Sequence, residues 1–181
     1  MGGRGSAEAR GRGGASGGSK IEFYEGAPQN VIDAVNESRE WIASEFGQEA
    51  LNVLPTRVTQ EKGQSRYDIA EARSNRVIIN NEKEVTTEVM VHEYAHRLTN
   101  SFLQTRDPRE TNSNFDKARK DTYKAAGIKA NKANDAKYVS KYGATNSHEF
   151  FSEVVAQNYN GKKNPVIDAG MAQIRNGIKK R

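Results

Sequence analysis

A compact α+β domain, richer in helix than in strand, is the fold class this sequence predicts, from three observations. Several long stretches repeat their apolar residues at helical spacing, while only short runs are β-branched or alternating. At 181 residues, with 35% hydrophobic and 28% charged residues, the chain suits one domain with a modest core. The strand candidates precede the helix that carries the densest chemistry, and a second polar-apolar helix follows it. The predicted architecture is a small sheet with an edge strand packed on that central helix, closed by the downstream one.

Residues 1–20 are Gly, Arg, Ser and Ala without a large apolar anchor, so a disordered leader over 1–20 and a folded domain over 21–181 are expected. Ile21 to Tyr24 reads as a short strand or anchoring segment. Pro28 stands near the first turn of a helix running to about Phe46 and stopped by Gly47. Its residues Val31, Ile32, Val35, Trp41, Ile42 and Phe46 mark a core-facing stripe. Leu51 to Thr59 alternates loosely and predicts a strand disturbed at Pro55. Tyr67 to Ala72 predicts a second strand or a short helix. Arg76 to Asn80 predicts a third strand ended by Asn80-Asn81, and its edge is expected to pair with an extended peptide.

Glu84 to about Phe102 is expected to be helical, with Val85, Val89, Leu98 and Phe102 as its stripe and Ala95 allowing close packing. Asn112 to Lys129 reads as a Lys-rich surface helix ending at Gly127, and Lys129 to Lys141 as a mobile linker. Ser147 to Tyr159 and a stretch opened by Pro165 complete the helices, the last finishing in Lys179, Lys180 and Arg181.

The chemistry concentrates in His92-Glu93-Tyr94-Ala95-His96. Four residues of helix turn through about 400°, which stacks the two imidazoles on one face. Both rings then reach one Zn²⁺, and Glu93 lies beside the side of the metal where water binds. Cysteine is absent, so a metal must be held by His and carboxylates, which suits a catalytic zinc rather than a structural one. Imidazoles must be neutral to ligate, so zinc affinity is expected to fall below about pH 6.

A third His ligand at the extended-motif position is missing, because Thr99 and Phe102 stand where Gly and His would be needed. The remaining common arrangement takes a Glu from a later helix. Asn146 to Glu153 offers Glu149 and Glu153, four apart on one helix face, so one can bind metal while the other orients a ligand imidazole. His148, the third and last His, is adjacent to Glu149 and diverges from it by about 100°, so only one of the two can face His92 and His96.

Tyr142-Gly143-Ala144-Thr145-Asn146 followed by Glu149-Phe150-Phe151-Ser152-Glu153 resembles the second signature of the anthrax lethal factor family of gluzincin metallopeptidases. The order of parts agrees, and the resemblance spans about residues 76–159. It implies a zincin-like fold, one Zn²⁺ on His92, His96 and Glu149, Glu93 as general base, and Tyr142 as a catalytic phenol. It departs at Tyr94-Ala95 and at Ser152. On this assignment His148 faces solvent or the rim. The start, Met1-Gly2-Gly3-Arg4-Gly5, is similar to small proteins encoded near bacteriophage head genes, some with related metallopeptidase domains, which implies a phage or prophage origin.

The reading is therefore a zinc metalloendopeptidase acting on protein or peptide substrates. Two rivals differ in class. One is a phage structural or assembly protein keeping the fold and zinc without turnover, which would need neither Glu93 nor Tyr142. The other is a nucleic-acid-associated factor acting through the basic leader. The formal net charge of +5 draws on that leader, where Arg4, Arg10, Arg12 and Lys20 oppose Glu8 alone, and the remainder is nearly balanced. No apolar run approaches the roughly 18 residues of a membrane span, and 1–20 lacks the apolar centre of a signal peptide. A cytoplasmic or phage-associated location is expected.

Overall fold

The computed structural model describes residues 20–61 and 69–180, and the expected leader lies almost wholly outside them. The first helix, α1, spans Gln29–Phe46. Its chain reverses at Gly47, whose φ of 93° lies in the left-handed region that favours glycine. Val31, Val35, Ile42 and Phe46 are buried, while Ile32 and Trp41 are only partly covered. Ile21 to Tyr24 is the expected anchor: Glu22 bridges Arg57, donating its N–H to Thr56 and accepting from Val58.

The stretch expected to be one strand from Leu51 divides. Gln48–Val53 coils into a tight 3₁₀ segment, and only Val58–Gln60, after Pro55, is extended as β1. β2 is Ala70–Ala72 and β3 is Val77–Ile79. The sheet order β1-β3-β2 corrects the expectation for the third strand. β3 is central, parallel to β1 and antiparallel to β2, and all three of its residues are buried. Its Val-Ile-Ile composition fits burial on both faces better than an edge.

The central helix α2, Thr87–Leu103, starts three residues later than expected, because Glu82–Glu84 forms a separate 3₁₀ turn. Thr86 caps it by accepting from the Val89 N–H. Its buried face is Met90, Val91, Tyr94, Ala95 and Leu98, with Val89 and Phe102 on the flank. Tyr94-Ala95 inside the motif is therefore packing, with both residues fully buried.

α3, Pro108–Ala125, is capped by Asp107 and is more than a surface helix, since Phe115, Ala118 and Tyr123 are in the core. The expected linker after it is ordered. A short helix α4, Lys132–Asn134, leads into a wider helical turn, Asp135–Val139, that buries Asp135 and Val139. Arg119 holds the Asp135 carboxylate through Nε at 3.0 Å from both oxygens, with its guanidinium near the rings of Tyr123 and Phe150. α5, Ser147–Tyr159, and α6, Pro165–Lys179, match their expected starts, each capped by an Asn side chain. Gly170 on α6 lets the helix close on α5, since a Cβ there would meet Val154 at 2.8 Å. No helix among the described residues is long and apolar enough to cross a membrane.

Because Asp135 is the carboxylate that, among the described residues, pairs with the largely buried Arg119 guanidinium, Asp135→Ala should cost about 3 kcal/mol of stability, read from denaturant unfolding. A loss under about 1 kcal/mol would mean the pair behaves like a surface ion pair.

Candidate metal centre

α2 and α5 lie antiparallel and meet in three rungs. Asn160 donates to Glu88 at 2.6 Å, His92 Nδ1 lies 3.0 Å from Glu153 Oε1, and His96 Nε2 lies 3.4 Å from Glu149 Oε2. The fourth-residue periodicity of each helix supplies these rungs, placing Glu88, His92 and His96 on one face and Glu149 and Glu153 on the other. Behind the rungs α5 is seated in the core by Phe150 and Phe151, which pack on Tyr123 and Phe115 of α3, and by Val154 and Val155, all fully buried.

His92 Nε2 also approaches Glu149 Oε2, at 3.2 Å. That oxygen is buried and has no hydrogen-bond partner of acceptable geometry, although two ring nitrogens stand beside it. The arrangement is compatible with a shared metal ion. With ligand bonds near 2.05 Å, adjacent ligand atoms of a tetrahedral zinc lie about 3.3 Å apart. The observed separations of 3.2 and 3.4 Å bracket that value. Among the described residues His92, His96 and Glu149 form the group whose donor atoms converge within 4.8 Å, and all three are partly buried.

Each neighbouring residue has a local task. Burial opposes charge on the His92 ring, but Glu149 and Glu153 outweigh it and push its pKa up to about 9. Burial likewise disfavours the Glu149 carboxylate, yet the two imidazoles hold it down to about 2. The Glu153 contact on Nδ1 fixes the ring so that Nε2 faces the centre. Glu93 accepts from the Ala72 N–H of β2 at 3.1 Å and feels the charge of His96, His92 and Glu149. Its pKa is raised because burial exceeds the opposing effect of the two histidines.

The Tyr-Gly-x-Thr-Asn run is legible as physics. Gly143 lets the turn lie against α5, since a Cβ there would come within 3.1 Å of both Glu153 and Val139. Thr145 ties the turn by donating its hydroxyl to the Tyr142 carbonyl at 2.7 Å. Asn146 caps α5, accepting the N–H groups of His148 and Glu149. Tyr142 is thereby held with its ring 5.7 Å from that of His92 and 54% exposed. His148 turns away to stack on Phe115 at 3.7 Å, its Nε2 3.1 Å from Asn112.

The backbone donor of Ala72 escaped the sequence reading, because a main-chain N–H has no residue signature. Glu88 had one: it stands four residues before His92. In metal-free protein the His92 ring should titrate near 9 by NMR, and Glu149→Gln should move it toward the ordinary 6.5, because an imidazolium loses its anionic neighbour. An unchanged value in that variant would show that Glu149 does not hold the ring.

No family profile matches this chain, and no curated protein matches it. Among solved structures it is similar to a protein from Bacteroides caccae, provisionally assigned as a zinc-binding metallo-peptidase. The two are 14% identical with a TM-score of 0.45, over 90% of this chain and 85% of the other.

Proposed function

We propose that this protein is a zinc metallopeptidase of the gluzincin type, similar to the lethal factor family, with Zn²⁺ on His92, His96 and Glu149. The observation that carries the reading is the buried Glu149 oxygen flanked by two ring nitrogens at coordination-shell spacing, with Glu93 lining the same cavity as His92. A zinc ion in such a set lowers the pKa of a water from 15.7 toward about 7 and polarises a carbonyl.

The chain's own groups then divide the remaining work. Glu93 takes the proton of the attacking water and returns it to the leaving amine, and its raised pKa favours carrying that proton between the two events. Tyr142 offers its phenol to the developing oxyanion from the exposed side of His92. Glu153 keeps the His92 ring aimed.

The peptide edge belongs to β2, in place of the central β3. Residues 69, 71 and 73 alternate in bonding toward β3, so the main-chain groups of Ala70 and Ala72 point outward. The Ala72 N–H already serves Glu93, which among the described residues leaves the Ala70 N–H and C=O and the Ala72 C=O for an extended substrate. The phage or prophage origin rests on Met1 to Gly5, which lie outside the described residues.

Purified protein should hold about one zinc per chain, by metal analysis, and cleave members of a peptide library. Glu93→Gln should retain the zinc and lose cleavage, because an amide cannot shuttle the proton. Wild-type turnover in that variant would remove Glu93 from its role. Glu149→Ala should weaken zinc binding by at least about 10–100-fold while His148→Ala leaves it nearly unchanged, and the reverse pattern would point to a three-His site. The proton on His92 shifts the pH threshold upward from the expected value near 6. Zinc affinity should climb about tenfold per pH unit until near pH 9, where that ring is already neutral.

A further inference from the structure

A cavity of about 230 Å³ lies beside His92, and Glu88, one helical turn before His92 on α2, is part of its lining. Its walls come from three elements: Ile69 and Ala70 at β2, Val89 on α2, and Ala156 on α5. Ala156 is small and buried, which gives the cavity depth where a larger residue would fill it. Tyr142 stands at its mouth.

Ile69, Ala70, Val89 and Ala156 supply the apolar part of the wall, and His92, Tyr142 and three carboxylates the rest. Glu88, Glu93 and Glu153 line the cavity, and none of the described residues that line it is Lys or Arg. Glu153 is engaged by His92, and Glu93 by the Ala72 N–H. Glu88 is different. It is exposed, it sits farthest along α2 from the metal ligands, and the Asn160 amide holds its Oε1 and so orients the carboxylate.

We infer that this cavity is a specificity subsite for a lysine or arginine side chain of the substrate. It rests on the metallopeptidase reading above and names which residue of the peptide the enzyme selects. The methylene stem packs between Ile69, Val89 and Ala156, and the cationic head reaches the Glu88 carboxylate at the rim. A peptide paired along Ala70 and Ala72 of β2 runs past the mouth, so the side chain beside the scissile bond is the one that enters. An acidic side chain is repelled by Glu88 at the rim, and an uncharged one of equal length loses only the ion pair.

The test uses the full-length, zinc-loaded protein and three peptide hydroxamates. They are identical except for the side chain next to the zinc-binding group: lysine, norleucine or glutamate. Calorimetry on the wild type should show lysine binding about threefold to tenfold tighter than norleucine, with glutamate weakest. Glu88→Gln should erase the difference between lysine and norleucine, and Glu88→Lys should turn the preference toward glutamate. Equal binding of lysine and norleucine to the wild type, or a lysine preference that survives Glu88→Gln, would overturn the subsite and leave the metallopeptidase reading standing. Failure of all three hydroxamates to bind would refute that reading, and the subsite with it.

Discussion

The antiparallel contact between α2 and α5 is the constraint on which the rest of the structure depends. Neither helix supplies the candidate site alone: α2 contributes His92 and His96, and α5 contributes Glu149 and Glu153. Coordination spacing tolerates errors of only a few tenths of an ångström, so the packing between the helices must be equally well defined. Fully buried Tyr94, Ala95 and Leu98 on α2 and Phe150, Phe151, Val154 and Val155 on α5 seat both helices in one shared core. Motif and core are interleaved along the same turns, with polar residues on the cleft face and apolar residues behind them.

Much of the site was legible because its residues obey helix periodicity. Two imidazoles four apart, two carboxylates four apart and an Asn cap before the second pair are all local patterns, and a local pattern survives without knowledge of the fold. The exact start of α5 at Ser147 and the stop of α1 at Gly47 were legible for the same reason. The sheet was less so. Which strand lies in the middle depends on pairings between distant residues, and a run such as Val77-Ile78-Ile79 is ambiguous between a buried centre and a hydrophobic edge.

The segment after α3 shows a different failure. Its Lys, Asn and Ala content suggests a linker, yet one ion pair reverses that reading. Asp135 is the residue that composition would place in solvent, but Arg119, sixteen residues earlier, draws it into the core beside Tyr123 and Phe150. Burying Asp135 carries Val139 and Ser140 into position, and these support the turn that presents Tyr142. A polar interaction over long sequence separation thus organises a stretch in which hydrophobic patterning is silent.

The single hydrogen bond from the Ala72 N–H to Glu93 has a wider consequence. It fastens a side chain of the central helix to the rim of the sheet, so the two layers share one alignment mark. Any chain that docks along that rim is measured from the same backbone atoms that aim the carboxylate. On the proposed reading, recognition and proton handling are therefore referenced to a common origin, and a small slip of the strand would misdirect both together rather than either alone.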